Sequence, residues 1–187
     1  MMAPIPYFIW SILLLLLGFV TFRVLVRRDY LKRGRLTPLS VFLEYAVFFL
    51  WGTFTYVDWL SATSISQVGP VLRLIAWVLI IVGLGITLFA MARLGIRRLH
   101  GLDSQVLEGS GLYRVTRNPQ IVGSGLAVIG YAMYWPSWHT VGWVVLYVVI
   151  CHMMVLTEEE HLRSVFGEQY VRYCEGVPRY LGLPRQR

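Results

Sequence analysis

The chain has 187 residues, 57% of them hydrophobic and only 14% charged, with a formal net charge of +7. Soluble domains sit near about 45–50% apolar and about 25% charged. A mean hydropathy of +0.61 therefore excludes a soluble globular domain, and it equally excludes a disordered chain, which needs far less apolar surface to stay expanded in water.

The first apolar run covers roughly Pro4 to Val26 and contains the uninterrupted stretch Ile12 to Leu17. At about 20 residues it is long enough to cross a bilayer core of about 30 Å. Its basic residues follow the apolar run and no small-residue cleavage site appears, so it is expected to be a retained membrane helix, not a signal peptide. The second run is roughly Leu39 to Leu60 and the third roughly Val71 to Ala92. Two shorter runs, Ile121 to Trp135 and Trp138 to Leu156, flank the turn Trp135-Pro136-Ser137-Trp138. That turn predicts a tight helical hairpin with aromatic residues at the interface.

The expected fold is thus all-α, an integral membrane bundle of five transmembrane helices. Arg23, Arg27, Arg28, Lys32, Arg33 and Arg35 follow the first helix. Arg93, Arg97, Arg98, Arg114 and Arg117 lie between the third and fourth, and Arg163, Arg172, Arg179, Arg185 and Arg187 follow the fifth. Only Arg73 falls on the opposite side. Five helices put all three clusters on one face, which the positive-inside rule makes cytosolic, with the N-terminus out and the C-terminus in. Topology and anionic lipid account for the basic balance, and no nucleic-acid partner is called for.

Polar residues concentrate in two stretches, Arg93 to Gln120 and Thr157 to Arg187. They divide the chain into residues 1–92, three membrane helices with a basic cytosolic loop, and residues 93–187, a core of cytosolic loop, helical hairpin and amphipathic C-terminal helix. Together the loop 93–120 and that last helix are expected to form a cytosolic cap that takes a water-soluble cofactor from one side and an apolar substrate from the bilayer. Leu162, Val165, Phe166, Tyr170, Tyr173 and Cys174 recur at the helical period, with Arg163, Glu168 and Arg172 between them, which predicts one amphipathic helix. Glu158-Glu159-Glu160 supplies its acidic start, and at least one of the three is expected to have a functional role where the fifth helix leaves the bilayer. Gly123, Ala127, Gly125, Gly130, Gly83 and Gly85 are small residues suited to close helix contacts.

Several further side chains bear on the chemistry. Arg114 and Arg117 suit lipid-headgroup contacts. Glu44 is an ionisable residue in an otherwise apolar segment and so a functional candidate by default. His152 is the other candidate base. His139 is expected at the outer interface, and His100 and His161 in solvent. Cys151 and Cys174 cannot build a disulfide scaffold or a zinc site alone, and no His, Cys or acidic cluster has metal-ligand spacing, so no metal is expected.

Gly111-Leu112-Tyr113-Arg114 followed by Arg117-Asn118-Pro119 and Gly123 resembles the Gly-x-Tyr-x-x-x-Arg-His-Pro-x-Tyr-x-Gly motif of isoprenylcysteine carboxyl methyltransferases. About forty residues on, Glu158-Glu159, Leu162, Phe166-Gly167, Tyr170, Tyr173 and Val177-Pro178 match that family's second block in order and spacing. The resemblance covers roughly Arg98 to Pro184 and extends to phospholipid and thiol methyltransferases. It implies S-adenosyl-L-methionine as methyl donor, lined by Gln105, Val106, Leu107, Tyr113, Asn118, Pro119, Gln120 and Ile121, with Glu158 on the donor's polar end.

Three departures shape the acceptor. Asn118 replaces the family histidine, and Ile121 replaces the family tyrosine. Met154 stands where an arginine would bind the substrate carboxylate. The implied activity is methyl transfer at the cytosolic membrane face to a membrane lipid or other lipidic or apolar acceptor: a lipid amine or a thiol at least as readily as an isoprenylcysteine-like carboxylate. The small size points to a prokaryotic inner (plasma) membrane. Tyr173-Cys174 with Val177-Pro178 also resembles NADPH-dependent sterol reductases, and a non-catalytic member binding lipid or partner helices is the third alternative.

Overall fold

The computed structural model describes residues 4–61, 68–95 and 109–182, and these are almost entirely helical. Helix α1 (Pro4–Phe19) runs through a π-helical segment (Val20–Val26) into α2 (Arg27–Arg33) without a break. Then come α3 (Pro38–Ser61), α4 (Pro70–Leu94), a short 3₁₀ turn (Gly111–Arg114), α5 (Pro119–Tyr134), α6 (Trp138–Phe166) and α7 (Glu168–Gly176).

Among the described residues three helices are long and apolar enough to cross a membrane: Ile5–Arg33, Pro70–Leu94 and Trp138–Phe166. The apolar run Pro38–Phe54 and α5 are shorter. At a rise of about 1.5 Å per residue, α6 measures roughly 43 Å, well beyond a core of about 30 Å. It is thus longer than such a layer is thick, and the three glutamates lie in its last turns.

α6 is the hub. It packs against α1, the π segment, α2, α3, α5 and α7. At one end Tyr7 donates a 2.6 Å hydrogen bond to the carbonyl of His139. At mid-height the rings of Trp51 and Trp143 stack with centroids 4.3 Å apart, and each indole N–H donates to the other residue's carbonyl at 3.1 Å. These satisfied polar groups join α3 to α6 where no water is at hand to take them. At the other end Thr157 donates to the carbonyl of Phe22, which also accepts the five-residue bond of the π segment from the Arg27 N–H. Leu14, Phe22, Val26, Val47, Leu146 and Ile150 fill the space between.

α4 and α5 form the closest pair in the fold. A methyl group placed on Gly83 would stand 2.5 Å from the Gly123 carbonyl, one on Gly123 2.7 Å from that of Gly83, and one on Gly130 2.6 Å from that of Ala76. Only glycine lets backbones approach this far. Thr87 bridges the seam, donating to the Gly83 carbonyl at 2.8 Å with the Gln120 carbonyl 3.3 Å away. The small residues thus act as expected, except that Gly85 faces open space.

Two expectations need correction. The C-terminal amphipathic stretch is not one helix. Leu162 to Phe166 finish α6, Gly167 breaks it with φ +51, and α7 starts afresh at Glu168. That backbone conformation is one side-chain-bearing residues avoid, so the heptad-like pattern runs across a corner. Consequently Glu158-Glu159-Glu160 lie inside α6 instead of opening a new helix.

The seam sets a stability test. Gly123→Val should lower the unfolding free energy in a micellar denaturation titration by about 2–3 kcal/mol through overpacking. Gly85→Ala should stay within about 0.5 kcal/mol.

Candidate functional site

The site region is built where α5 begins, α6 leaves the bundle and the tail folds back. Asn118 closes the N-terminus of α5 and Pro119 takes its first helical position, where a missing N–H is no loss. The preceding 3₁₀ turn buries Tyr113. Its carbonyl accepts a 2.6 Å hydrogen bond from the Tyr173 hydroxyl of α7, and its hydroxyl lies 3.3 Å from Gln120 Oε1.

The tail then zips onto this turn. The Arg117 N–H donates to the Pro178 carbonyl at 2.9 Å. The Arg179 carbonyl accepts from Asn118 Nδ2 at 3.0 Å and from Thr116 Oγ1 at 3.2 Å. So the loop and the C-terminal segment do meet as one cap over the described residues. Gln105, Val106 and Leu107, expected on one wall of the cofactor site, lie outside the described residues, as does His100.

Glu159 anchors the cap. Arg117 Nη1 donates to its Oε1 at 2.8 Å, and Arg179 donates from Nε at 3.0 Å and from Nη2 at 2.6 Å. The Glu159 side chain is only 7% exposed and that of Arg117 12%. Arg117 Nη1 also lies 2.8 Å from Cys174 Sγ. Hydrogen bonding to Glu159 raises the Arg179 guanidinium pKa further. Arg117 is therefore not a headgroup contact, because its charge is spent on a buried acid.

The other two glutamates point elsewhere, as successive residues on a helix must. Glu160 is exposed and pairs with Arg23 Nη2 at 2.7 Å and Arg27 Nε at 2.6 Å. Glu158 is half-buried, and among the described residues its carboxylate has neither hydrogen bond nor ion pair. It stands within electrostatic reach of Glu44 on α3 and Tyr30 on α2. Cys151, two turns back on the same face, belongs with Val128, Trp143 and Tyr147 to a cluster flanked by Phe48, Trp51 and Ile121. The α3 and α5 backbones pack on α6 without substantial packing on each other. Aromatic side chains fill the space between them at mid-height, and Glu158 and Glu44 occupy its upper end.

Ile121 contributes its carbonyl, which accepts from the Tyr147 hydroxyl at 3.0 Å, and its side chain packs on the same cluster. Met154 is half-buried against the apolar core between α1 and α3, one turn below Glu158. His152 sits on the Glu159 side of α6 with Nδ1 3.0 Å from the Tyr180 hydroxyl. Burial pushes Tyr180 up to about 12, so its hydroxyl stays protonated and can donate to Nδ1. His161 is not solvated but buried, its ring stacked on Tyr30 with centroids 3.9 Å apart. His139 is likewise buried, against Trp138 and Tyr7. Among the described residues no group of three or more His, Cys, Asp and Glu is placed to hold a metal ion.

Tyr113, Asn118, Pro119, Gln120 and Ile121 thus stand at the head of α5, whereas Glu158 lies toward Glu44 on α3 and Tyr30 on α2. Sequence reasoning missed Glu159, Arg179 and Tyr180 as the groups that hold the tail down. The adjacent acids and the motif arginine were the available signal, but nothing in the sequence said which acid Arg117 would meet.

A model of the phospholipid methyltransferase family matches residues 71–169, from the start of α4 to the first residues of α7, more than half of the chain. No curated protein and no solved structure matches.

Removing the anchor should release the cap. Glu159→Ala leaves the largely buried Arg117 and the part-exposed Arg179 guanidiniums uncompensated, so stability should drop by about 2–3 kcal/mol. Protease cleavage within residues 177–182 should appear at concentrations that leave the parent chain intact.

Proposed function

Because the chain belongs to the phospholipid methyltransferase family, we propose that it transfers a methyl group from S-adenosyl-L-methionine to a lipidic or apolar acceptor at the cytosolic face of the membrane. The observation that carries this reading is Glu158, a carboxylate at the end of α6 without a partner among the described residues, whose two neighbours are both neutralised by arginines. A half-buried acid without a partner fits a cation, and the donor carries an ammonium group beside its sulfonium.

The donor supplies a methyl carbon already activated for displacement. The chain's residues have to align the two partners and keep water out, which can account for much of a rate enhancement. Glu158 holds the donor's ammonium. Tyr113, Asn118, Pro119, Gln120 and Ile121 would line its remainder, and the family resemblance adds Gln105, Val106 and Leu107, which lie outside the described residues. The Asn118 side chain is committed to the tail, so it contributes through the backbone and by holding the cap shut.

Acceptors enter from the bilayer between α3 and α5. Met154 cannot pair with a carboxylate, which favours a lipid amine or a thiol over an isoprenylcysteine-like carboxylate. An ammonium must lose a proton before it attacks. Glu44 is better placed to take it than His152, because Glu44 faces Glu158 whereas His152 points to the Tyr180 side of α6. Five spans with the N-terminus out bring the basic clusters, the cap and this entrance to the same, cytosolic, side. Within that arrangement residues 1–92 supply Glu44, and residues 93–187 the donor site.

Calorimetric titration of the solubilised protein with S-adenosylhomocysteine tests the reading, with NADPH titrated in parallel. Saturable binding is expected, weakened by about 2 kcal/mol, or about 30-fold, in Glu158→Gln. Binding of NADPH alone would instead indicate a reductase. Binding of neither by folded protein would indicate a lipid-binding or scaffolding member. Glu44→Gln should leave S-adenosylhomocysteine affinity within about threefold and lower methyl transfer to a lipid amine by about a hundredfold or more, the lower end of the range for a general base.

A further inference from the structure

The turn between α2 and α3 carries a concentration of charge that the proposed site does not use. Six cations lie between Arg23 and Arg35. Arg23 and Arg27 are taken up by Glu160. Arg28, Lys32, Arg33 and Arg35 are exposed, and the one acid among them is Asp29, 3.8 Å from Arg28. That acid is itself buried and occupied. Its Oδ2 accepts hydrogen bonds from the Thr37 N–H at 3.0 Å, from the Thr37 hydroxyl and from the Ser40 hydroxyl at 2.6 Å. Asp29 thus ties the end of α2 to the start of α3, while Gly34, at φ +64, turns the chain between them. Four cations are left on a rigid turn with little to neutralise them.

The depth of the turn identifies its partner. From Ile5 to Val26 the rod rises about 32 Å, the thickness of a bilayer core, so the cations emerge at headgroup level. Leu31, Leu39 and Phe42 are 58–67% exposed beside them, apolar groups suited to the acyl boundary just beneath. Charge above and apolar side chains below match the two parts of one molecule.

We propose that Arg28, Lys32, Arg33 and Arg35 form a saturable binding site for the phosphate headgroup of an anionic bilayer phospholipid. The site is independent of the methyl-transfer reading. It goes beyond the general bias of basic loops toward the cytosol, because that bias needs only charge and here the charge is held in register by a buried carboxylate.

Native mass spectrometry of the full chain released from detergent, titrated with dioleoylphosphatidylglycerol or dioleoylphosphatidylcholine, tests the proposal. Retention of the anionic lipid is expected, weakened at least about tenfold in the combined variant Arg28→Gln/Lys32→Gln/Arg33→Gln/Arg35→Gln and within about twofold in the control Arg93→Gln/Arg114→Gln/Arg163→Gln. Both sets of side chains are exposed, so the folded state survives in each, and near-ultraviolet circular dichroism verifies it. Equal retention of both lipids, or an unchanged preference in the combined variant, overturns the proposal. Displacement of the lipid by millimolar inorganic phosphate overturns it as well, since the turn would then be a phosphate site and not a lipid site.

Discussion

A carboxylate drawn inside a protein with two guanidiniums is stable only if nearly every lone pair finds a donor, because desolvating three charges costs more than loose pairing returns. Glu159 meets that condition with three N–H groups from Arg117 and Arg179. These arginines lie 62 positions apart in sequence, one before α5 and one after α7. Their meeting on α6 therefore decides where the loop, the head of α5 and the tail all sit. Hydrogen bonds from Asn118 and Thr116 to the Arg179 carbonyl, and from Tyr173 to the Tyr113 carbonyl, follow from that placement.

The helix turns about 100° per residue, so three consecutive glutamates address three parts of the molecule. Glu159 faces the cap, Glu160 faces Arg23 and Arg27 on the first rod, and Glu158 faces α2 and α3. Two are structural and their charges are answered. The third has no partner among the described residues, and this difference, not the run of acids itself, singles out Glu158 for the proposed donor site. The same geometry separates Glu44, opposite Glu158, from His152, which belongs to the tail contact.

Packing divides the bundle into a tight side and an open side. Along α4 and α5, glycines bring the backbones close enough that an added methyl group would collide with a carbonyl. Along α3 and α6, two indoles exchange hydrogen bonds and keep the helices a ring's thickness apart. With α5 fixed to α4 and α3 fixed to α6, the space between α3 and α5 is not closed by substantial backbone contact. A membrane enzyme with an apolar acceptor has use for such a seam, since its substrate arrives sideways.

What the sequence by itself determined is what depends on local composition and period. Apolar runs long enough for a bilayer, the helical hairpin at Pro136, the small-residue stripe Gly123 to Ala127 and the motif block around Asn118-Pro119 were all legible, because hydrophobic length, turn chemistry and helix spacing are properties of neighbours in the chain. The family followed from the same block. Tertiary structure alone decided the rest. It chose which glutamate would be buried on Arg117, turned Arg117 from a surface cation into an anchor, and brought Tyr180 to His152. It also buried His161 against Tyr30 and broke the amphipathic pattern at Gly167. All but the break at Gly167 depend on partners tens of residues away, and the charge of a side chain does not reveal whether water or another residue will answer it.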